Sequence, residues 1–168
     1  KKLTLNPIEE DDFIDEDLTI KDYLKEIVSS FKETSDKNFF LNFDNDLNPI
    51  KILRTIEIIY GLRNFIGNAN KFSQSSIFIN LKSDKKLTQI VITDDGEGYS
   101  NEILSKIGEP YLKNSNDTYK EKSGLGLGIF IGKTLLEKNF ASIFCKNSKI
   151  KSGAEVTVSW KNEDLLKL

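Results

Sequence analysis

Apolar residues recur with helical spacing along two segments of the chain. Between residues 19 and 31 they fall at positions i, i+4, i+7, i+8 and i+11, which predicts one apolar face of an amphipathic helix. Thr19 and Asp22 predict a capping box at the start of this helix. Similar spacing predicts a longer helix over 50–72, which we expect to lie against a sheet along most of its length.

Alternation of apolar and polar residues predicts the strands of that sheet. The strands are expected over 38–44, 76–81, 87–93, 141–147 and 154–160, and the second and third form a hairpin. A third helix is predicted over 127–138. Because strands and helices do not alternate strictly, the order predicts an α/β fold, a two-layer sandwich in which a mixed β-sheet packs on three main helices.

One long stretch, 95–123, has few apolar residues apart from a short helix predicted around 103–107. Loops of this length are usually functional lids or disordered segments. We expect its second half, 113–123, to form a mobile lid.

Composition divides the ends of the chain from its centre. From Glu9 to Asp17 there are seven acidic residues and no basic one, so we interpret 1–17 as an acidic linker or tail. The apolar pattern predicts one domain over 18–161, followed by a C-terminal tail over 162–168.

Charge and residue usage exclude several classes of function. The 168 residues carry 24 Lys and Arg against 26 Asp and Glu, a net charge of −2, which provides no basic field for nucleic acid or for direct contact with an anionic membrane. The single cysteine, Cys145, lies in an apolar strand, which favours a buried inert thiol over a reactive one. Since the sequence contains neither Met nor His, we expect it to be part of a longer protein.

Residues 124–134 are rich in glycine, and two phosphate-binding motifs fail there on spacing. A P-loop needs a glycine where Leu127 stands, and a dinucleotide fingerprint needs one where Ile129 or Ile131 stands. Alternating glycines before a helix still let a ligand approach the backbone and leave helix N–H groups free for an anion. These glycines are Gly124, Gly126 and Gly128. The alternative is that they only turn the chain into the helix.

Paired carboxylates follow the third predicted strand. Asp94 and Asp95 come at its end, and Gly96 and Gly98 follow. A carboxylate at this place could accept a hydrogen bond from a ligand amine, with glycines leaving room for a flat ring. The alternative is an ordinary Asp-Gly hairpin turn.

Polar residues interrupt the apolar character of the long helix. Asn64 and Asn68 are four residues apart, so both lie on one face, and Lys71 follows on that face. An Asn carbonyl oxygen can ligate Mg²⁺, and a nearby lysine can neutralise phosphate. The alternative is that these residues are only the wet face of the helix.

In this order, the three segments resemble the ATP-binding domain of sensor histidine kinases, within the superfamily that also holds gyrase, an ATP-driven heat-shock chaperone and MutL. The resemblance covers residues 18–160. Residues 108–111, 125–137 and 153–160 are similar to the RegB/PrrB group of redox-responsive kinases. The resemblance implies the Bergerat ATP-binding fold, with ATP and Mg²⁺ as cofactors.

The resemblance also implies roles for individual residues. The implied catalytic residues are Asn68, Asn64 and Lys71, with Asn68 as the ligand of Mg²⁺. The implied nucleotide-binding residues are Phe72, Asp94, Gly96, Gly98, Tyr111, Gly124, Leu125, Gly126, Leu127 and Gly128. Asp94 would accept the adenine amino group, Phe72 would pack on the adenine ring, and Tyr111 belongs to the motif that positions the lid. Two positions depart from the pattern, since Gly67 stands where relatives usually have an acidic residue and the lid holds lysines but no arginine.

The implied reaction transfers the γ-phosphoryl group of Mg²⁺-ATP to a histidine on a separate dimerisation domain, and then to a cognate response regulator. The implied parent lies in the bacterial inner membrane, with this domain in the cytoplasm. Two alternatives are a superfamily ATPase that drives conformational change and a nucleotide-binding module without catalysis. Such ATPases carry a general-base Glu where this chain has Asn64, and an amide cannot take a proton from water, which favours the kinase.

Overall fold

A computed structural model describes residues 18–44, 55–107 and 125–168, without the side chains of 125 and 126. Within these ranges the chain forms helices and strands in the following order. They are α1 (Ile20–Lys32), β1 (Asn38–Asp44), α2 (Ile56–Phe72), β2 (Ser76–Ser83), β3 (Leu87–Asp94), α3 (Asn101–Ile107), α4 (Leu125–Lys138), β4 (Ser142–Asn147), β5 (Ala154–Lys161) and α5 (Asn162–Leu165).

The five strands form one mixed sheet in the order β1-β2-β3-β5-β4. β1 runs parallel to β2, so the chain between them has to cross over, and α2 lies in that crossover. The other neighbouring strands are antiparallel, and Asp94 at the end of β3 pairs with Ile77 at the start of β2. Since β2 begins just after α2, this register brings the ends of α2 and β3 together.

The core lies between one face of the sheet and the helices. Its largest fully buried side chains include Tyr23 and Leu24 of α1, Phe65 of α2, Ile90 of β3 and Trp160 of β5. Full burial of a large apolar side chain contributes about 1.5–3 kcal/mol, so this layer dominates the stability. On the other face of the sheet, Phe40 and Phe144 are exposed. The arrangement is a two-layer α/β sandwich, which confirms the predicted fold class.

Helices α2 and α4 approach each other closely at two glycines. A Cβ atom at Gly61 would lie 2.6 Å from Cγ of Leu136, and one at Gly132 would lie 2.9 Å from the ring of Phe65. Any larger residue would therefore push the helices apart. The close crossing puts the polar face of α2 next to the first turns of α4.

The start of α1 confirms the predicted capping box. The Thr19 hydroxyl accepts a hydrogen bond from the backbone N–H of Asp22 at 3.3 Å, and the Asp22 carboxylate accepts one from the Thr19 N–H at 2.9 Å. These bonds satisfy two backbone donors that a helix start leaves free.

The glycine-rich segment differs from the sequence prediction. Helix α4 begins at Leu125 instead of 127, so Gly126 and Gly128 lie inside the helix and not in a loop before it. Glycine lowers intrinsic helix propensity by about 1 kcal/mol, and here packing against α2 overrides that preference. The long helix predicted over 50–72 begins at Ile56, because the described Thr55 before it is extended. The predicted lid at 113–123 and the acidic segment 1–17 lie outside the described residues.

The segment predicted as a C-terminal tail, 162–168, packs against the domain. Leu165 is buried in the core, and Asn162 accepts a hydrogen bond from the Thr88 hydroxyl at 2.7 Å and donates one to the carbonyl oxygen of Asp84 at 2.7 Å. None of the helices in the described part of the chain is long and apolar enough to span a membrane.

Candidate functional site

A cavity of about 750 Å³ opens where the ends of α2 and β3 meet. Apolar side chains such as Phe65, Ile92 and Val156 form part of its lining, and polar groups lie at its two ends. Six residues that the sequence analysis assigned to a site line this cavity. They are Asn68, Lys71, Phe72, Asp94, Gly96 and Gly98.

Asp94 is the buried acid of the cavity, with 4% of its surface exposed. Its Oδ1 accepts hydrogen bonds from the backbone N–H groups of Gly96 at 2.8 Å and Ala154 at 3.3 Å. Burial raises the pKa of the Asp94 carboxyl, and these two donors oppose the rise. Both bonds go to Oδ1, so Oδ2 is the oxygen that stays available to a donor on a ligand.

Two glycines fit tightly around this acid. A Cβ atom at Gly96 would collide with the carbonyl oxygen of Phe72, and one at Gly153 would collide with Oδ1 and the carbonyl oxygen of Asp94. The sequence analysis assigned Gly96 to the site but not Gly153, which lies 59 residues after Asp94 in the sequence. We call Asp94, Gly96 and Gly98 the carboxylate end of the cavity.

The second acid of the pair, Asp95, bonds to the chain after α2 and not to the residues around Asp94. Its Oδ1 accepts hydrogen bonds from the backbone N–H groups of Gln74, Ser75 and Ser76 at 2.9–3.0 Å, and its Oδ2 accepts one from the Ser75 hydroxyl at 2.7 Å. Although burial opposes the change, these bonds lower the pKa of Asp95. Asp95 therefore ties the end of β3 to the turn between α2 and β2.

The side-chain amide of Asn68 lines the other end of the cavity, and that of Asn64 lies one turn earlier on α2, outside the lining. Nδ2 of Asn68 is buried and has no hydrogen-bond partner in the described part of the chain, whereas Nδ2 of Asn64 donates to the carbonyl oxygen of Tyr60 at 2.8 Å. A Cβ atom at Gly128 of α4 would lie 3.3 Å from Oδ1 of Asn68 and 3.7 Å from Oδ1 of Asn64. We call Asn64, Asn68 and Gly128 the amide end.

The donor set of the amide end suits a hard cation. Mg²⁺ prefers oxygen ligands, and Oδ1 of Asn68 is such an oxygen on a side chain without a hydrogen-bond partner for its Nδ2. In the part of the chain that the structure describes, no three His, Cys, Asp or Glu side chains gather into a metal site. Amide oxygens are therefore the protein ligands offered here.

The C-terminal turn of α2 carries the remaining predicted residues. Nζ of Lys71 lies 5.3 Å from the centre of the Phe72 ring, and both side chains are exposed at the cavity. Lys37 holds this turn in place by donating to the carbonyl oxygens of Ser73 at 2.6 Å and Gln74 at 3.1 Å. The turn is thus fixed by Lys37 while the Lys71 ammonium stays accessible.

The departure at Gly67 is explained by its neighbours. A Cβ atom there would lie 3.4 Å from the ring of Phe31, so position 67 faces α1. Gly67 does not line the cavity.

The structure does not bring every predicted residue to the cavity. Asn64 and Gly128 lie next to Asn68 but do not line the cavity, and Leu127 is exposed on α4 outside it. Leu125 and Gly126 belong to the first turn of α4. Tyr111 and Gly124 lie outside the described residues.

Sequence reasoning predicted strand β4 but missed that its side chains support the lining of the cavity. The Tyr99 hydroxyl lies close to the Cys145 thiol of β4, and Asn147 of the same strand bonds to the Tyr99 backbone. Burial raises the pKa of the Cys145 thiol to about 11, although Lys133 and the Tyr99 hydroxyl lower it. The thiol is therefore protonated at neutral pH, in line with the expectation of an inert cysteine.

Comparison with known proteins gives one family and several relatives. The family described as histidine kinase-, DNA gyrase B-, and HSP90-like ATPase matches residues 55–164. The sensor histidine kinase RegB of Cereibacter sphaeroides is 39% identical over 102 residues, which are 58% of this chain and 22% of that protein. The histidine protein kinase SaeS of Staphylococcus aureus is 33% identical over 130 residues, which are 74% of this chain and 36% of that protein.

A solved structure shares the fold. The nucleotide-free catalytic domain of histidine kinase ThkA superposes with a TM-score of 0.68 at 18% sequence identity, covering 86% of this chain and 95% of that one. The chain spans 22% of RegB and 36% of SaeS, so most of each relative has no counterpart in it.

Proposed function

Because this chain belongs to the family of histidine kinase-, DNA gyrase B- and HSP90-like ATPases, we propose that it is the ATP-binding catalytic domain of a sensor histidine kinase. The reaction transfers the γ-phosphoryl group of Mg²⁺-ATP to a histidine on the parent's dimerisation domain, from which a response regulator takes it onto an aspartate. The observation that carries the proposal is one cavity with a buried carboxylate at one end and an unpaired amide at the other.

Adenine binds at the carboxylate end. Its exocyclic amine donates a hydrogen bond to Oδ2 of Asp94, because Oδ1 is already engaged by two backbone donors. Gly96 and Gly98 let the chain that lines this end pack closely against the Phe72 carbonyl oxygen and the Asn147 amide, and the exposed Phe72 ring packs on the base. A guanine presents a carbonyl oxygen at the same position, so this acid selects adenine nucleotides.

Magnesium and the phosphates bind at the amide end. Oδ1 of Asn68 holds Mg²⁺ with Asn64 beside it, and the bound ion neutralises charge on the triphosphate. Lys71 adds a second positive charge at the phosphates. Tyr111, Gly124, Leu125, Gly126 and Leu127 are proposed as further nucleotide-binding residues on the resemblance alone.

The identity of residue 64 supports phosphoryl transfer over ATP hydrolysis. Hydrolysis needs a base that removes a proton from water, and the Asn64 amide instead donates to the carbonyl oxygen of Tyr60. A neutral histidine carries a lone pair on its ring nitrogen and attacks phosphorus without prior deprotonation. An amide at position 64 therefore favours phosphoryl transfer over hydrolysis.

Exposed apolar side chains next to the amide end support a helical acceptor. Ile56 and Tyr60 precede Asn64 at four-residue intervals on α2, and Leu127 and Ile131 flank Gly128 on α4. An exposed apolar patch beside a reaction centre is suited to dock the apolar face of the histidine-bearing helix. The proposed parent is an inner-membrane kinase with this domain in the cytoplasm.

Incubation with γ-labelled ATP tests the proposal. The chain contains no histidine, so it cannot label itself on one. It should transfer acid-labile label to the separately supplied histidine-bearing domain of its parent, slowly, because the tether that makes the reaction intramolecular is missing. Steady phosphate release without labelled protein would support the ATPase alternative, and nucleotide binding without either reaction would support the non-catalytic module.

A further inference from the structure

Asn147, the last residue of β4, makes two hydrogen bonds to a single residue of the cavity lining. Its Oδ1 accepts from the backbone N–H of Tyr99 at 2.7 Å, and its Nδ2 donates to the carbonyl oxygen of Tyr99 at 2.9 Å. A side-chain amide can pair both backbone groups of one residue because it carries a donor and an acceptor side by side. Tyr99 is 7% exposed and belongs to no strand, so Asn147 satisfies backbone groups that would otherwise be buried and unpaired.

The same amide fits against Gly98. This glycine has φ +79°, a left-handed conformation that other residues rarely adopt, and a Cβ atom there would lie 2.6 Å from Oδ1 of Asn147. The space that a side chain at position 98 would need is thus taken by the Asn147 amide. A residue larger than glycine at position 98 would therefore collide with the Asn147 side chain.

Residues 96–99, which we call the cavity wall, all line the cavity. Hydrogen bonds of Asp95 join the chain just before the wall to the turn after α2, and hydrogen bonds of Asn147 join the far end of the wall to β4. In the part of the chain that the structure describes, no other hydrogen bond holds the backbone from Glu97 to Tyr99. Asp94 holds the near end of the wall through the Gly96 N–H, and the far end depends on Asn147 together with the buried Tyr99 side chain.

We infer that Asn147 is a positioning residue for base recognition, an inference that rests on the proposed function. Asn147 does not line the cavity and acts through Tyr99 and Gly98. The two bonds keep the wall at the distance from Asp94 that a flat base requires. Phosphate and metal bind at the amide end, so Asn147 affects nucleotide affinity and leaves the transfer step unchanged.

Asn147→Asp tests this inference with a change of one atom. The aspartate still accepts from the Tyr99 N–H, but its second oxygen faces the Tyr99 carbonyl oxygen and repels it. Asn80→Asp on β2 is the matched control, since Asn80 is exposed and gains the same charge. We expect ADP, measured by calorimetry, to bind Asn147→Asp about tenfold more weakly than the wild-type chain, while Asn80→Asp binds normally.

A kinetic readout separates positioning from general damage. With the parent's histidine-bearing domain as acceptor, KM for ATP should rise about tenfold in Asn147→Asp while kcat at saturating ATP stays unchanged. If Asn147→Asp does not fold, Asn147→Ser, which keeps one bonding group without a charge, is measured against the same criteria.

The outcomes distinguish the inference from the function on which it rests. Normal ADP affinity in a folded Asn147 variant would overturn the inference while the wild-type chain still binds ADP. A lower kcat with unchanged KM would also overturn it, because the residue would then act on the reaction and not on the base. A wild-type chain that fails to bind ADP would instead reject the proposed function.

Discussion

The carboxylate end and the amide end of the cavity differ in how far the protein itself completes them. At the carboxylate end, Asp94 receives two backbone donors, and the wall beside it is fastened by Asp95 before it and Asn147 behind it. At the amide end, Nδ2 of Asn68 is buried without a hydrogen-bond partner among the described residues. The protein therefore already holds the ligand-binding acid in place at one end, whereas at the other end the described residues leave a side-chain amide unpaired.

This difference suggests that the base of a nucleotide binds groups already held in place, whereas its metal and phosphates bind groups that must still rearrange. A buried polar group left without a partner costs about 1–3 kcal/mol, a cost that is offset when a ligand reorients or pairs that group. At the carboxylate end, the backbone N–H groups of Gly96 and Ala154 already fix the Asp94 side chain through Oδ1, so a ligand donor meets Oδ2 in a position that the protein has set. We therefore expect base recognition to be independent of metal, and metal and phosphate to reorganise the amide end when they bind.

Asp94→Asn should lower nucleotide affinity the most, because it replaces the acceptor oxygen of the carboxylate end with an NH₂ donor. Asn keeps an oxygen for the Gly96 and Ala154 donors, but its NH₂ group faces the adenine amine with donor against donor. We expect ADP affinity to fall at least about a hundredfold with little loss of stability, since the change also removes a buried charge. Calorimetry with ADP and a melting curve measure both. Unchanged affinity in a folded variant would refute the assignment of Asp94.

Asn68→Ala should have an intermediate effect confined to the amide end. ATP binding should lose its dependence on Mg²⁺, with affinity in Mg²⁺ lowered about tenfold, while ADP without metal binds nearly as before. Stability should hardly fall, because Nδ2 of Asn68 has no hydrogen bond to lose.

Asn70→Ala is the matched control for this variant on the same helix. Oδ1 of Asn70 accepts a hydrogen bond from the Ser35 hydroxyl at 2.5 Å, so its removal should lower the free energy of unfolding by about 1 kcal/mol. Mg²⁺ dependence should persist in Asn70→Ala. The same Mg²⁺ dependence in Asn68→Ala would argue against a metal role for Asn68.

Much of the fold and part of the site could be predicted from the sequence because they depend on local patterns. Strand alternation and helical spacing give the sheet and the helices α1 and α2, and the family match confirms the resemblance to histidine kinase ATP-binding domains. Asp94, Gly96 and Gly98 are close in sequence and meet in the cavity. The assignment of site residues to ATP and Mg²⁺ stays a prediction.

What could not be predicted depends on contacts between distant parts of the chain. Gly153 and Asn147 meet the carboxylate end only because β5 lies beside β3 and β4 lies beside β5 in the sheet. The roles of Asp94 and Asp95 look alike in sequence and separate only through their partners. The start of α4 at Leu125 was also missed, because the glycines at 126 and 128 lower the local helix propensity.

Asp95→Asn should have the smallest effect on ADP affinity. It tests whether the hydrogen bonds between Asp95 and the turn after α2 help to position the carboxylate end. The variant keeps the shape of the side chain but weakens its bonds to the Gln74, Ser75 and Ser76 donors, because neutral acceptors bind N–H groups less strongly. We expect ADP to bind roughly threefold more weakly and the melting temperature to fall by about 2–4 °C at pH 7.

The pH dependence of the melting temperature checks the Asp95 bonds directly, and Asp84→Asn is the control variant. Since hydrogen bonds lower the pKa of Asp95, its contribution to stability is complete above the ordinary pKa and is lost as the pH falls toward the lower folded value. The gap between wild-type and variant melting temperatures should therefore close between about pH 5 and pH 2. Asp84 in the β2–β3 turn also accepts backbone donors, from Lys86 and Leu87 at 2.7 and 2.8 Å, which lower its pKa. Asp84→Asn should reproduce the direction of the pH dependence without changing ADP affinity, whereas an equal loss of affinity in both variants would mean that Asp95 contributes only general stability.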